Sequence, residues 1–225
     1  MKSENQQAAP RRPLKTRQRA WAQALARGFT RAGISPNSIS IASVVFAALA
    51  GACLWLTQRH QGNVRALLFL AAAACIQLRL LCNMLDGMVA IEGGRKTVYG
   101  DIFNDMPDRF ADVVILVAAG YSLSSCPWGR ELGWLAAILA VLTAYVRLLG
   151  GSMGVTQYFL GPMAKPHRMA VMTAACLLSI FEPVFEPRFG WHGQILALAL
   201  AIVIFGSVAT LIRRTLRIVE DLKRR

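Results

Sequence analysis

Two short stretches of the sequence carry carboxylates and amides at helical spacing inside an otherwise apolar chain. The first contains Asn83 and Asp86, and the second contains Asn104 and Asp108 with Asp105 beside them. Spacings of three and four residues place each pair on one face of a helix. Carboxylate and amide oxygens are the ligands that Mg²⁺ and Mn²⁺ prefer, and such ions neutralise charge during phosphoryl transfer. The pattern therefore predicts a hard-cation site formed by two helices.

The chain around these stretches is apolar enough to lie in a membrane, since 55% of its 225 residues are hydrophobic. Residues 38–56 and 194–212 are uncharged throughout. Each is long enough, at about 1.5 Å per residue, to cross roughly 30 Å of hydrocarbon. Because lipid offers no partner to backbone groups, the expected solution is helical. Four further segments complete a prediction of six transmembrane helices, namely residues 66–91, 102–123, 132–146 and 169–181.

The predicted fold class is therefore all-α, an integral membrane bundle of six helices with an N-terminal interfacial helix. Residues 1–31 form a basic N-terminal segment, residues 32–213 the membrane domain and residues 214–225 a basic tail. A polar start without an apolar core argues against a cleavable signal peptide.

The predicted interfacial helix covers residues 14–30, after a polar segment that we expect to be disordered. Trp21, Leu25 and Phe29 recur there at helical spacing among basic residues. Such a pattern is typical of a helix lying in the membrane interface, and a solvated basic tail is the alternative. The following Gly33 and Pro36 suit a turn, and Asn37 or Ser38 is expected to cap the first membrane helix.

The net charge of +13 is distributed asymmetrically along the chain. If the N-terminus lies inside, the inside segments hold 19 of the Lys and Arg residues and the outside loops hold four. This asymmetry predicts that both termini are cytoplasmic and that the basic flanks attract anionic lipids. No nucleic-acid partner is expected, because the basic segments lack interleaved aromatic residues and no binding module is visible.

The five cysteines indicate neither a disulfide framework nor a zinc site. Four of them lie in the apolar segments, where small core residues are expected. Ala- and Gly-rich faces on the last three predicted spans permit packing between protomers, so a homodimer is compatible with the sequence.

A second group of basic residues follows the fourth predicted span. Arg147 ends that span, and Lys165, His167 and Arg168 precede the fifth. All would lie on the side of the carboxylates, where Arg suits bidentate phosphate binding and Lys acts as a point charge. Marking of the cytoplasmic side is the alternative role, and His167 is expected to be a loop residue.

The spacing of these groups resembles the signature of the CDP-alcohol phosphotransferase family, D-x-x-D-G-x-x-A-R-x8-G-x-x-x-D-x-x-x-D. The matching positions here are Asp86, Gly87, Ala90, Gly100 and Asp108. The resemblance extends to residues 35–40, 145–147 and 165–168, and so covers about residues 33–212.

The resemblance implies a six-helix membrane enzyme in which aspartates hold two divalent ions against the pyrophosphate of a CDP-linked lipid. It implies that Asp108 is the catalytic base toward an incoming alcohol and that CMP leaves. The residues that would bind metal are Asp86, Asp108, Asn83, Asn104 and Asp105. Those that would bind nucleotide or substrate are Asn37, Gly87, Ala90 and Gly100. Those that would bind an acceptor phosphate are Arg147, Lys165 and Arg168.

Three positions depart from the signature. Asn83 and Asn104 replace two aspartates, and Ile91 replaces the usual Arg. Each asparagine removes one negative charge, so two divalent ions would be under-neutralised and one tight ion or a weak pair is expected. Arg79 would worsen this shortage if it pointed at Asp86, since a nearby cation competes with metal.

The sequence thus predicts a phosphatidyltransferase of phospholipid biosynthesis that uses Mg²⁺ or Mn²⁺, a CDP-diacylglycerol-type lipid and an alcohol acceptor. A bacterial inner membrane is the expected location. A degenerate member that binds nucleotide or lipid without turnover is the main alternative. Another alternative is that these residues form a polar cluster that only joins two helices, with Asn104 as a helix cap. A transporter is disfavoured because the polar groups lie at one edge rather than at the midplane.

Overall fold

The computed structural model describes residues 19–92, 100–190 and 193–224, with some helix-end side chains outside the description. All regular elements in these ranges are helices. In chain order they are α1 (Ala20–Arg31), α2 (Pro36–Leu56), a 3₁₀ turn (Thr57–Arg59), α3 (Gly62–Glu92), α4 (Gly100–Tyr121), α5 (Gly129–Ser152), α6 (Lys165–Ser179), α7 (Glu182–Phe189) and α8 (Gln194–Lys223). The predicted disordered segment and the 93–99 loop lie outside the described residues.

Six of the helices form a closed ring. Helix α2 packs against α3 and α4, α3 packs against α6, α6 against α8, α8 against α5, and α5 against α4. The enclosed core is apolar and includes Phe69 on α3, Ile115 on α4 and Leu200 on α8. Because α3 ends and α4 begins at the same end of this ring, their polar stretches lie together there. The ring therefore brings the candidate residues to one end of the bundle.

Helices α4 and α5 approach so closely that only glycine fits at their crossing. A Cβ atom at Gly133 would lie 2.8 Å from the Gly120 Cα atom and 2.9 Å from the Leu116 carbonyl oxygen. A Cβ atom at Gly120 would lie 2.7 Å from the Gly133 Cα atom. Small residues at helix crossings are a common device of membrane helices, where close packing replaces the hydrophobic effect.

The N-terminus of α2 corrects one prediction from the sequence. The cap is Ser35, whose hydroxyl accepts a 3.1 Å hydrogen bond from the Ser38 amide, rather than Asn37 or Ser38. Pro36 occupies the first helical turn, where its missing N–H costs nothing. With proline at the first helical position, the cap lies two or three residues earlier than predicted.

Helix α4 begins at Gly100, which excludes the interpretation of Asn104 as its cap. Pro107 lies inside the helix rather than in its first turn. A proline there removes one backbone hydrogen bond and favours a kink. The irregularity falls next to Asp108, at the candidate site.

The helices extend beyond several predicted limits. Helix α5 continues past Arg147 to Ser152, and α8 continues to Lys223, so much of the predicted C-terminal tail is helical. His167 lies in the first turn of α6, not in a loop. The connection between α6 and α8 contains the short helix α7, although it is rich in proline and glycine.

Four helical segments are long and apolar enough to cross a membrane, namely Pro36–Arg59, Gly62–Ile91, Gly129–Ser152 and Gln194–Lys223. Helix α6 has only 15 residues, and α4 carries several charges in its first half. Six spans therefore remain a prediction, with α4 and α6 as the two additional members.

Helix α1 packs against the bundle at the candidate-site end. Ala22 and Ala26 are fully buried, and they form a small cluster with the end of α3 that includes Met88. Trp21 and Leu25 are 49% and 38% exposed. The small residues and the partly buried Phe29 thus pack the helix on the protein, while Trp21 and Leu25 point outward; contact of these two with a membrane interface remains a prediction.

The opposite end of the bundle is held by one buried carboxylate. Glu182 accepts hydrogen bonds from Arg65 at 2.9 Å and from the backbone amides of Gly193 and Ile195 at the start of α8. A carboxylate is favourable there because the N-terminus of a helix carries partial positive charge. Glu182 therefore ties α3, α7 and α8 together.

Candidate active site

Asp86 is buried on α3 and held in one orientation. Its Oδ2 atom accepts a 2.7 Å hydrogen bond from the Ser40 hydroxyl on α2, and its Oδ1 atom lies 2.5 Å from the Gly87 amide nitrogen. Within the described chain, no ion pair closer than 4 Å is recorded for this carboxylate. It interacts electrostatically with Asp108 and Lys165 across the bundle. Asp86 is therefore an oriented carboxylate oxygen donor within electrostatic range of the second carboxylate, Asp108.

Asp108, on α4, lies between two cations. Lys165, from the start of α6, bonds directly to its Oδ2 atom. The Arg79 guanidinium lies 3.6 Å from its Oδ1 atom and donates a 3.2 Å hydrogen bond to its backbone carbonyl oxygen. Oδ1 is buried without a hydrogen-bond partner. Burial is the largest influence on the pKa of the Lys165 ammonium and lowers it, whereas the Asp108 carboxylate acts in the opposite direction.

A third carboxylate, Asp112, lies one helical turn further along α4 and is paired twice. Arg79 on α3 donates to its Oδ1 atom and Arg168 on α6 donates to its Oδ2 atom, both at 2.7 Å. All three side chains are at most 2% exposed. Complementary hydrogen bonds are what make a buried ion cluster tolerable. Asp112 thus joins three helices that surround the site.

The helical spacing would have allowed Arg79 to point at Asp86, but it does not. Its partners are Asp108 and Asp112, which it reaches across the interior of the ring. The competition of Arg79 with metal predicted for Asp86 therefore falls on Asp108 instead.

Asp105, predicted as an additional metal ligand, lies in a separate ion pair. Arg147 on α5 approaches its two carboxylate oxygens at 3.1 and 3.2 Å, and Arg109 approaches at 3.2 Å. The Arg147 guanidinium also lies 5.3 Å from the centre of the Phe159 ring. In this arrangement Asp105 neutralises arginines rather than facing Asp86.

The three predicted acceptor cations differ in accessibility. The side chains of Lys165 and Arg147 are 20% and 16% exposed, whereas Arg168 is 2% exposed. Arg168 also donates to the Thr143 hydroxyl at 3.1 Å and to the Met163 carbonyl oxygen at 3.0 Å. Arg168 therefore connects helices, whereas Lys165 and Arg147 are accessible to a ligand.

The predicted nucleotide residues border the same end of the bundle. Asn37 is half-buried in the first turn of α2, Gly87 and Ala90 lie in the last two turns of α3, and Gly100 begins α4. Gly87 follows Asp86 directly, which leaves backbone rather than side chain beside the carboxylate. The Asn104 side chain lies outside the described part of the chain.

Two buried side chains at this end of the bundle were not among the predicted site residues. Ser40 lies within the stretch 35–40 that carries part of the resemblance, and its hydroxyl orients Asp86. Arg214 on α8 is buried and donates to the carbonyl oxygens of Leu160 and Thr143. The position of Ser40 one turn into α2 could have indicated the first contact; nothing local to Arg214 indicates the second.

The donor set at this end fits one divalent cation. Asp86, the unpaired Oδ1 atom of Asp108 and the half-buried amide of Asn83 are hard oxygen donors. Within the described residues, no group of three or more His, Cys, Asp or Glu side chains could hold a metal ion. Two carboxylates and an amide match the chemistry of a single hard cation better than that of two.

The fold is similar to that of a solved phosphatidylinositol phosphate synthase. No protein-family model matches the sequence. The chain is similar to phosphatidylinositol phosphate synthase PgsA1 of Mycobacterium tuberculosis in complex with manganese and citrate, with a TM-score of 0.70, 19% identity and 88% of each chain covered. PgsA1 with CDP-DAG bound gives a TM-score of 0.67 at 20% identity, over 88% of this chain and 92% of that one. At these identities the likeness establishes the fold.

Two relatives are similar in sequence. Inner membrane protein YnbA of Escherichia coli (strain K12) is 22% identical over 175 residues, which cover 78% of this chain and 81% of YnbA. An uncharacterized protein of Aquifex aeolicus (strain VF5) is 27% identical over 191 residues, which cover 83% of each chain.

Proposed function

We propose that this chain is a membrane phosphatidyltransferase. It moves a phosphatidyl group, or a related phospho-alcohol group, from a CDP-activated lipid to a hydroxyl acceptor and releases CMP. The observation that carries the proposal is the pair Asp86 and Asp108, two buried carboxylates close enough to interact electrostatically at one end of a PgsA1-like bundle. The CDP-DAG complex of PgsA1 supports a CDP-linked lipid as donor.

The reaction is a substitution at phosphorus. The acceptor oxygen forms a bond to the phosphorus that carries the lipid, and the bond from that phosphorus to the bridging oxygen breaks, so that its electron pair leaves with CMP. The acceptor proton passes to a carboxylate oxygen, for which the unpaired Oδ1 atom of Asp108 is the candidate. A correctly placed base of this kind contributes about 10²- to 10⁴-fold to rate. The remaining acceleration comes from positioning.

A divalent cation, Mg²⁺ or Mn²⁺, would be held by Asp86, Asp108 and Asn83 and would neutralise charge on the pyrophosphate. The manganese in one PgsA1 structure supports such a cofactor. Ser40 fixes the Asp86 carboxylate toward that position. Lys165 and Arg147 are the accessible cations available to a phosphorylated acceptor, and Arg168 supports them by holding Asp112.

An apolar groove on the outer face of α2 and α4 is compatible with a lipid as donor. It has a volume of about 240 Å³ and is lined by Val44 on α2 and by Ile102, Met106, Pro107 and Phe110 on α4. We place the catalytic domain in residues 32–213, in a bacterial inner membrane with both termini cytoplasmic; the name of YnbA supports this location.

The test is CMP release from CDP-diacylglycerol by the purified full chain, with Mg²⁺ or Mn²⁺ and a panel of alcohols and phospho-alcohols. We expect metal-dependent CMP release with one acceptor class. Glu131→Gln is the matched control for carboxylate variants, because Glu131 lies in the first turn of α5, at the opposite end of the bundle from the site.

A second candidate function is nucleotide or lipid binding without turnover. The observation that favours it is that both oxygens of Asp108 lie near protein cations. CDP binding without CMP release for every acceptor and metal would select this function over the transferase.

A further inference from the structure

Among the described residues, Asp86 and the charges paired with Asp108 and Asp112 balance before any metal binds, and the partly exposed group of Asp105, Arg109 and Arg147 adds one net positive charge. Three buried or nearly buried carboxylates, Asp86, Asp108 and Asp112, are matched by three cations, Arg79, Lys165 and Arg168. Buried net charge is costly. A diester pyrophosphate carries one negative charge on each phosphate, so one divalent ion restores neutrality when the donor binds. A second divalent ion would leave an excess of positive charge in a buried site.

Two of these cations lie where a second metal ion would need to bind Asp108. Lys165 bonds to Oδ2, and the Arg79 guanidinium is 3.6 Å from Oδ1. Among the described residues, Asp86 in contrast accepts hydrogen bonds from a hydroxyl and a backbone amide and forms no ion pair within 4 Å. The two carboxylates are therefore unequal, because Lys165 bonds directly to Asp108 and acts on Asp86 only at longer range.

Neutral amides stand where further carboxylates would assist a second ion. Asn83 lies one helical turn after Arg79 on α3, and its Nδ2 atom is buried without a hydrogen-bond partner. A carboxylate at position 83 would add negative charge beside Asp86. The amide supplies an oxygen donor but no charge, and thus supports one ion only weakly.

We infer that Lys165 and Arg79 supply from the protein the positive charge that a second divalent ion would bring to Asp108, and that the site binds one divalent ion per chain. This inference rests on the proposed function. The bound ion would be held mainly by Asp86, with Asn83 and Asp108 as further oxygen donors, while Lys165 and Arg79 neutralise Asp108, the candidate base toward the acceptor.

The experiment counts bound Mn²⁺ on the purified full chain, by electron paramagnetic resonance of the free ion during a titration, with CDP-diacylglycerol present. The variants are Asn83→Asp, which adds a carboxylate and keeps both cations, Lys165→Met, which removes one cation, and their combination. Lys223→Met, at an exposed position in the last turn of α8, is the control for loss of a lysine. Thermal unfolding in the same detergent checks that each variant is folded.

We expect one Mn²⁺ per chain for the wild type, Asn83→Asp and Lys223→Met. The double variant should bind two, because a carboxylate is gained and a competing cation is lost. Lys165→Met alone should bind its first Mn²⁺ roughly tenfold more tightly, since a cation near the ion has been removed.

Two Mn²⁺ ions in the wild type or in Asn83→Asp would overturn the inference while leaving the proposed transferase intact. One ion in a folded double variant would also overturn it. No bound Mn²⁺ in the wild type would contradict both the inference and the metal dependence of the proposed function. If the double variant does not fold, the numbers of Mn²⁺ ions bound by the wild type and by Asn83→Asp test the inference.

Discussion

The Arg79 guanidinium lies 2.7 Å from the Asp112 carboxylate, across the interior of the bundle from α3 to α4. This pair connects two helices that otherwise touch little, since α3 and α4 lie on either side of α2 in the ring. Because Asp112 lies one helical turn beyond Asp108, its partner Arg79 is held as a permanent cation close to the candidate base. The packing of the site and its charge therefore depend on the same contact.

Asp108→Asn should reduce CMP release by about 10²- to 10⁴-fold, because the amide cannot accept the acceptor proton. The substitution keeps size and shape, so the protein should remain folded. Steady-state rates of CMP release measure the effect, with Glu131→Gln as the unchanged control. A variant with at least half of the wild-type rate would exclude Asp108 as the base.

Ser40→Ala should weaken Mn²⁺ binding by roughly 10- to 100-fold, the usual effect of losing a group that orients a metal ligand. The Ser40 hydroxyl donates at 2.7 Å to the Asp86 Oδ2 atom, and alanine leaves that oxygen free to turn away. Ser43→Ala is the matched control, because Ser43 is a buried serine on the same helix that donates to the Ser40 carbonyl oxygen rather than to Asp86. Equal Mn²⁺ affinities for the two variants would contradict this role.

Asp112→Asn should lower the free energy of unfolding by about 3–5 kcal/mol, because it leaves two buried guanidinium groups without their carboxylate. Denaturation with sodium dodecyl sulfate, followed by tryptophan fluorescence, measures the change. Asp105→Asn is the comparison, since Asp105 pairs with two arginines but is 30% exposed; its loss should cost at most about 1 kcal/mol. Similar losses for both variants would show that the buried cluster is not a structural element.

Gly133→Val should destabilise the protein strongly, by more than about 2 kcal/mol, because its Cβ atom would lie 2.8 Å from the Gly120 Cα atom and backbone cannot yield as a side chain does. The same denaturation experiment measures it. Gly28→Ala in α1 is the control, since nothing lies within 4 Å of the added Cβ atom. We expect that variant to be unchanged or stabilised by up to about 1 kcal/mol. Equal stability of Gly133→Val and wild type would contradict the close crossing.

The sequence by itself determined the helical class, two spans of uninterrupted apolar residues and the candidate pair Asp86 and Asp108. These features follow from local properties. Runs of apolar residues predict burial in lipid, and spacings of three and four residues fix which side chains share a helix face. The cap of α2 was misplaced by two or three positions because several neighbouring polar side chains could serve equally well.

Only the tertiary structure decided which carboxylate each cation meets. Arg79 pairs with Asp112 rather than with Asp86, Arg147 with Asp105, and Lys165 with Asp108. Long flexible side chains can reach several turns of a neighbouring helix, so sequence spacing does not fix their partners. The order of helices around the ring and their relative heights do, and these result from packing over the whole bundle. In this protein the type of chemistry is thus encoded locally, whereas the charge at the candidate base is set by which helices are neighbours.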